Sequence, residues 1–277
     1  MAVANVEGAD LFYAVAGNGE PLILVHGSWV DHHTWDRVVP TLGEHFKVVT
    51  YDRRGHSGST APPGQGSVRD DVNDLAGLIR LIGPAPVHVV GNSFGGSIVL
   101  RLAISHPELC RSVSVHEPPL MALLASDPQM APMLNEVQAR IGAVIQLLVK
   151  GDDAAGAELF VETVALGPGM WRQLPENVRQ TFIRNARTFL DEAGDQESLG
   201  IDLRGPGTYL ESAQLTQGDQ SPPFFAAIID MLAATLPRTE RLTYVGAGHI
   251  PQETHSQDFV RGLIPFLTET RAGTESV

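Results

Sequence analysis

Short apolar runs alternate with amphipathic segments over the first 117 residues. The runs are rich in β-branched and aromatic residues and are bounded by glycine, proline or aspartate, which is typical of buried strands. They lie at 10–17, 21–27, 46–52, 87–91 and 110–117. Residues 67–83 instead repeat apolar positions at helical spacing, and residues 94–107 have a helical pattern as well. This alternation predicts a mostly parallel sheet that helices cover on both faces.

The strand pattern stops between 118 and 205. Three segments there have helical periodicity, at 130–151, 156–166 and 175–194, and strand patterns return at 208–218 and 241–248. A helical block that interrupts an α/β alternation is best interpreted as an insertion over one edge of the sheet. We therefore expect a core formed by 1–117 and 206–277, with a helical cap at 118–205.

The turn after the fourth apolar run has an unusual composition. Residues 91–95 are Gly-Asn-Ser-Phe-Gly, between a predicted strand and a predicted helix. In G-x-S-x-G the two glycines leave room for a turn so sharp that the central residue is strained and its side chain stands clear of the sheet. A dinucleotide fingerprint would need glycine in place of Ser93, and a phosphate-binding loop would need lysine in place of Ser97. The pattern favours Ser93 as a nucleophile.

A serine hydroxyl needs a neighbouring base before it can attack a carbonyl carbon. His249 is the strongest candidate, because it follows the last predicted strand and the carboxyl ends of parallel strands line one crevice. The other histidines have weaker positions; His26 precedes Gly27 and is expected to order its loop.

The motifs together resemble the α/β-hydrolase family. They are His26-Gly27, YDRRGHSGS at 51–59, GNSFGG at 91–96 and GHIPQE at 248–253, in the order that the family has them. The resemblance implies an α/β-hydrolase fold with a variable helical cap. It also implies an oxyanion hole built from the backbone N–H groups of Ser28 and Phe94, for which neither side chain is required.

The third member of the triad departs from the common family pattern. Many members place an acid three residues after the glycine that ends the penultimate strand, but here Gly218 is followed at that position by Ser221. A serine cannot stabilise an imidazolium by charge. Glu117 ends the run beside the nucleophile's strand, where some members of the family carry their acid, and it is the favoured candidate. Asp219 is the alternative.

Substrate contacts are predicted at Trp29, Met121, Trp171 and Phe224, which would give an apolar and partly pliable pocket. A serine nucleophile argues against epoxide hydrolase and dehalogenase chemistry, since those reactions need a carboxylate. We expect hydrolysis of a carboxylic ester or lactone of a small, largely apolar molecule. The alternatives are C–C hydrolase, lyase or acyltransferase chemistry on the same fold, or a ligand-binding, receptor-like protein without activity.

Charge and composition limit the kinds of binding partner and the location that we expect for this protein. The net charge of −13 opposes binding to nucleic acids and anionic membranes. The lone Cys110 excludes an internal disulfide, and the N-terminal residues lack a signal-peptide pattern, so a cytoplasmic location is expected. Neither a cofactor nor a metal is predicted, and the polar cluster Asp31-His32-His33 is assigned no role. A monomer or homodimer is expected.

Overall fold

An eight-stranded sheet organises the part of the chain that the computed structural model describes, residues 2–203, 212–236 and 238–272. Across the sheet the strands lie in the order β1-β2-β4-β3-β5-β6-β7-β8. Their bounds are β1 Ala2–Val6, β2 Ala9–Ala16, β3 Pro21–Val25, β4 Lys47–Tyr51, β5 Val87–Asn92, β6 Cys110–His116, β7 Ala213–Gly218 and β8 Thr239–Tyr244. β2 pairs antiparallel with β1 and β4, and all neighbours from β4 to β8 are parallel. The predicted mostly parallel sheet is confirmed.

Helices pack on both faces of this sheet and form the block at 118–203. Their bounds are α1 Val39–Leu42, α2 Val68–Ile82, α3 Phe94–Ser105, α4 Ala131–Val149, α5 Asp153–Phe160, α6 Glu176–Asn185, α7 Thr188–Gly194, α8 Pro223–Thr235, α9 Pro251–Thr254 and α10 Ser256–Ala272. α2 begins at a capping box, in which the Ser67 hydroxyl accepts from the Asp70 N–H and the Asp70 carboxylate accepts from the Ser67 N–H.

Two hydrophobic clusters lie on opposite faces of the sheet. Ile23 and Val25 belong to the larger cluster, which α2, α3 and α8 cover, whereas Leu22 and Leu24 belong to the one that α1 and α10 cover. This alternation follows from the period of two along a strand. It explains why β3 is a continuous apolar run rather than an alternating one.

The helical block has a hydrophobic cluster of its own. Val144 on α4, Ala157 on α5 and Phe189 on α7 are buried there together with Trp29 from the core. The first residues after β6 behave differently, because Leu120 and Leu124 are buried in the larger core cluster. The predicted boundary at 118 therefore falls before the point at which the block acquires its separate core, and the domain limits stay a prediction.

The sequence patterns missed four of the described elements, β1, α8, α9 and α10. β1 is an edge strand with mostly exposed residues, so it lacks the apolar run by which the other strands were found. The predicted strand at 208–218 is described from Ala213, while 208–211 lie outside the described residues, as do 206–207 and 273–277 of the predicted core. The segment predicted as a helix at 156–166 changes to a π-helical turn at Val161–Ala165.

The strand order brings the predicted site residues to one edge of the sheet. β5 lies between β3 and β6, with Gly91 opposite Val25 and Asn92 opposite His116. The loops that leave the carboxyl ends of these three strands begin with His26, Ser93 and Glu117. Parallel strands therefore place these loops side by side.

Candidate active site

Ser93 occupies the sharp turn between β5 and α3. Its backbone has φ +56° and ψ −126°, a conformation that is strained for a residue with a side chain. A Cβ on Gly95 would overlap the carbonyl oxygen of Val25, and one on Gly91 would lie 2.5 Å from the Gly95 carbonyl oxygen. Both glycines are thus required by close backbone approach, as the G-x-S-x-G pattern predicts.

The turn is held by neighbouring strand ends. The Ser93 N–H donates to the carbonyl of His116 at 2.8 Å. On the other side, a Cβ on Gly27 would lie 3.0 Å from the Ser93 Cβ and 3.5 Å from its Oγ. The loop after β3 therefore passes directly beside the Ser93 hydroxyl.

The structure brings Glu117 to His249. The His249 Nδ1 lies 2.7 Å from Glu117 Oε2, and the Glu117 side chain is fully buried. Glu117 Oε1 accepts from the Gly218 N–H at 2.8 Å. Burial opposes the charge on Glu117, but the hydrogen bond to His249 and the nearby imidazoles outweigh it and hold the carboxyl pKa below its ordinary value. An ionised carboxylate beside Nδ1 accepts a hydrogen bond from the Nδ1–H of His249. Nε2 is then the ring nitrogen that can accept a proton from a nucleophile.

Ser221, three residues after the glycine that ends β7, contacts the same carboxylate. Its hydroxyl donates to Glu117 Oε2 at 2.9 Å. Asp219 lies elsewhere: its exposed carboxylate accepts from the Gly246 N–H at 2.8 Å and joins the loops that follow β7 and β8. Of the two predicted acids, the structure places Glu117 against His249 and gives Asp219 a contact between two loops.

The His249 loop is fixed from two further directions. The Asn92 side-chain amide donates to the His249 carbonyl at 2.9 Å, which joins this loop to the nucleophile's turn. The Phe225 ring stacks on the imidazole, with 4.6 Å between ring centroids and 20° between planes. The His116 ring centroid lies 6.3 Å from that of His249, and burial lowers the pKa of His116 to about 4, so it stays neutral at pH 7.

The two predicted oxyanion donors lie beside the turn. Phe94 is the first residue of α3, where a backbone N–H has no intrahelical acceptor and the helix dipole is positive. Ser28 follows Gly27 in the loop next to Ser93. His26 orders that loop as expected, since its Nε2 accepts from the Arg53 N–H at 2.9 Å while its Nδ1 lies 2.7 Å from the Gly27 carbonyl oxygen.

A cavity of about 750 Å³ opens between this edge of the sheet and the helical block, and Ser28, Ser93, Phe94 and His249 all line it. Its wall is mainly apolar and includes Met121, Leu134, Phe160, Phe182, Phe224 and Phe225. A cavity of this size and composition suits a small, largely apolar ligand.

The four predicted substrate contacts take different positions relative to this cavity. Met121 and Phe224 line the cavity, but Trp29 and Trp171 are not among its lining residues. Trp29 is fully buried and stacks on Phe160 at 4.6 Å between centroids, and Trp171 packs edge to face against Phe182. The reason is geometric: each indole lies behind a phenylalanine, and the phenylalanine forms the wall.

Within the described residues, two groups bring three potential metal ligands together. One is His116, Glu117 and His249, which the contacts above already engage. The other is Asp31, His32 and Asp52, in which His32 Nδ1 lies 2.6 Å from Asp52 Oδ1 while Asp31 accepts from the Ser57 hydroxyl. The second group includes Asp31 and His32 of the polar cluster, for which no role was predicted.

Two charged residues of the site were not predicted. Arg53 belongs to the motif at 51–59, but nothing in that motif indicates that its side chain turns inward and is 2% exposed. Glu192, on α7 in the helical block, lines the cavity and has no sequence pattern that distinguishes it from the other acidic residues of the block.

None of the helices in the described ranges is long and apolar enough to traverse a bilayer.

Comparison with known proteins agrees with this architecture. Residues 20–256 match the family model described as alpha/beta hydrolase fold. The chain is 40% identical over 122 residues to the uncharacterized hydrolase YraK of Bacillus subtilis (strain 168), a match that covers 43% of this chain and 45% of YraK. It is 28% identical over 274 residues to the pimeloyl-[acyl-carrier protein] methyl ester esterase of Chromobacterium violaceum, covering 95% of this chain and 100% of that enzyme.

The fold is also similar to that of solved structures. The structure of the Bacillus megaterium epoxide hydrolase in complex with an inhibitor superimposes with a TM-score of 0.79 at 20% sequence identity. That match covers 96% of this chain and 100% of the other. At this level of identity the likeness concerns the fold alone.

Proposed function

The chain belongs to the α/β-hydrolase-fold family, and within it we propose a serine hydrolase that cleaves a carboxylic ester or lactone of a small, largely apolar substrate. The observation that supports this most is the combination of a strained Ser93 with a His249–Glu117 pair at the same cavity. Strain of this kind is retained where surrounding structure enforces it, and it clusters at reactive sites.

The proposed reaction begins with attack of Ser93 Oγ on the substrate carbonyl carbon while His249 Nε2 takes the hydroxyl proton. The carbonyl oxygen becomes negative and accepts from the N–H groups of Ser28 and Phe94. Glu117 stabilises the imidazolium and holds its tautomer. His249 then protonates the leaving alcohol, and the acyl group stays on Ser93 as an ester.

Deacylation repeats these steps with water as the nucleophile. His249 takes a proton from water, the hydroxide adds to the acyl carbon, and the acid leaves as Ser93 regains its proton. For a lactone the leaving alcohol stays attached to the acyl group, so one ring-opened hydroxy acid is released. The full-length similarity to a methyl ester esterase supports ester cleavage, and the apolar wall supports an apolar acyl or alcohol part.

The test combines a fluorophosphonate probe with a panel of p-nitrophenyl esters and lactones. We expect the probe to label the wild type at Ser93 and the Ser93→Ala variant to lose both labelling and turnover. Ser97→Ala is the matched control, since Ser97 is a buried serine one turn further along α3. Turnover that persists in Ser93→Ala would contradict the proposal, and labelling without hydrolysis of any panel member would favour another reaction on the same fold.

A further inference from the structure

A buried ion-pair network lies beside the candidate oxyanion hole. The Arg53 guanidinium pairs with both carboxylate oxygens of Asp71 on α2, at 3.1 and 2.9 Å. It also reaches Glu192 Oε1 on α7 at 2.9 Å. Arg53, Asp71 and Glu192 are 2%, 6% and 8% exposed, so the network is largely withdrawn from water. One cation between two carboxylates leaves an excess negative charge here when both acids are ionised.

The same network contacts both residues whose N–H groups would bind the oxyanion. Glu192 Oε2 accepts from the Ser28 hydroxyl at 2.5 Å. Arg53 also donates to the Gly27 carbonyl at 3.3 Å, the peptide group whose nitrogen is the Ser28 N–H. Its guanidinium lies 4.7 Å from the centroid of the Phe94 ring. A helix of the cap is thereby connected to the loop after β3 through one carboxylate.

This arrangement has an electrostatic disadvantage that calls for a function. A buried carboxylate beside a developing oxyanion opposes the negative charge of the transition state, and its desolvation is unfavourable by itself. Burial raises the pKa of Glu192 although Arg53 and the Ser28 hydroxyl favour its ionised form. A neutral side chain would fill the space without either penalty. What the carboxylate adds is a strong, directional acceptor for the Ser28 hydroxyl.

We propose that Glu192 is a positioning residue that acts through Ser28: its carboxylate fixes the loop after β3 so that the Ser28 N–H is aimed at the substrate oxygen only while α7 of the cap is seated. The inference rests on the proposed function, because it assigns a role in the same reaction. It gives the Ser28 hydroxyl a role beyond that of the backbone N–H, since a backbone donor alone requires no particular side chain. It also makes the oxyanion hole depend on a residue of the cap.

The test is a double-mutant cycle on Glu192→Gln and Ser28→Ala, with kcat and KM measured for a p-nitrophenyl ester. Glu192→Gln keeps the shape of the side chain but replaces the carboxylate by an amide oxygen, which is a weaker acceptor. Ser28→Ala keeps the backbone N–H and removes the hydroxyl. We expect each single variant to lower kcat by about 10- to 100-fold, below the full loss of an oxyanion donor, with KM within about threefold of wild type. In the double variant kcat should resemble that of the single variants, because the two side chains act as one unit.

A second readout separates positioning from simple stability. A boronic acid that forms a tetrahedral adduct with the nucleophile should lose affinity in parallel with kcat, whereas the affinity of the product acid should change little. Asp191→Asn is the matched control: Asp191 precedes Glu192 on α7, and its carboxylate lies beside Gly66. It should retain wild-type kcat, KM and inhibitor affinity.

Several outcomes would overturn the inference. Independent, multiplicative losses in the double variant, a loss confined to KM, or wild-type kcat in Glu192→Gln would each exclude positioning through Ser28. If Glu192→Gln does not fold, Ser28→Ala decides, and wild-type kcat there contradicts the inference. A wild-type protein that hydrolyses no ester and binds no boronic acid would instead overturn the proposed function, and the inference with it.

Discussion

Replacing Glu117 by glutamine isolates the charge of the acid from its shape. The glutamine oxygen can still accept from the Gly218 N–H, which now binds Glu117 Oε1 at 2.8 Å. The other end of the side chain becomes an NH₂ group facing His249 Nδ1 across 2.7 Å. A donor there favours the tautomer with the proton on Nε2, the wrong form for a base that must receive the Ser93 proton.

The size of the effect follows from the geometry. In the transition state His249 becomes an imidazolium whose charge lies about 4 Å from the Glu117 carboxylate, and at an effective dielectric constant of about 20 this attraction amounts to about 4 kcal/mol. That energy corresponds to about a thousandfold in rate. The tautomer effect adds to it, so we expect kcat to fall on the order of 10⁴-fold, as for other triads that lose their acid.

The assay compares Glu117→Gln with Asp219→Asn on the p-nitrophenyl ester that the wild type turns over best. Asp219 is the matched control because it is the other predicted acid and is exposed. Its variant should retain kcat within about threefold, since it weakens a contact between two loops and loses no contact with the imidazole. Circular dichroism and thermal unfolding verify that both variants fold. A large loss in Asp219→Asn with a small one in Glu117→Gln would refute the reasoning, as would equal small losses.

Three further predictions concern the scaffold. Gly95→Ala forces a methyl group into the Val25 carbonyl, so it should lower the free energy of unfolding in urea by about 3 kcal/mol and abolish fluorophosphonate labelling. The control is Gly142→Ala, which should not lower stability because a Cβ there would meet nothing within 4 Å. Equal stabilities of the two variants would contradict this prediction. The His116 pKa falls from 6.5 to about 4 through burial, so the unfolded chain binds more protons and stability should decline as pH drops through that window, by about 3 kcal/mol when complete. In His116→Gln, the free energy of unfolding measured in urea should fall less steeply with decreasing pH than in the wild type. An unchanged dependence on pH would show that burial of His116 is not the cause. Ser67→Ala removes the capping box of α2 and should lower stability by about 1 kcal/mol without changing kcat; a tenfold fall in kcat would contradict a purely structural cap.

The parts of the fold that sequence predicts well are those in which one local rule decides the outcome. Central strands such as β3 and β5 are buried on both faces and are therefore continuous apolar runs. The turn at 91–95 needs glycine at two fixed positions, so the pattern survives in the sequence. β1 was missed because an edge strand exposes most of its residues and has no comparable run.

The candidate site also has residues that the sequence indicates and residues that only the structure reveals. Ser93 and His249 could be located from a motif and from the last strand's position, and the resemblance supplied Glu117 as a candidate. The contact of Ser221 with Glu117 and the contact of Glu192 with Ser28 join residues 104 and 164 positions apart. Such pairs depend on how strands and cap pack, and no local spacing encodes them. The same holds for Trp29, whose place behind Phe160 depends on where the cap helices lie.

The central claim is that Ser93 carries the acyl group of the substrate as a covalent ester during turnover. Acid-quench trapping of this acyl-enzyme tests the claim most directly. The enzyme is mixed with excess p-nitrophenyl ester, quenched within the first turnovers, digested and analysed by peptide mass spectrometry. We predict a mass increase equal to the acyl group on the peptide that contains Ser93, formed together with a burst of p-nitrophenol. A burst of p-nitrophenol with the acyl group on another residue, or full turnover by Ser93→Ala, would contradict the account.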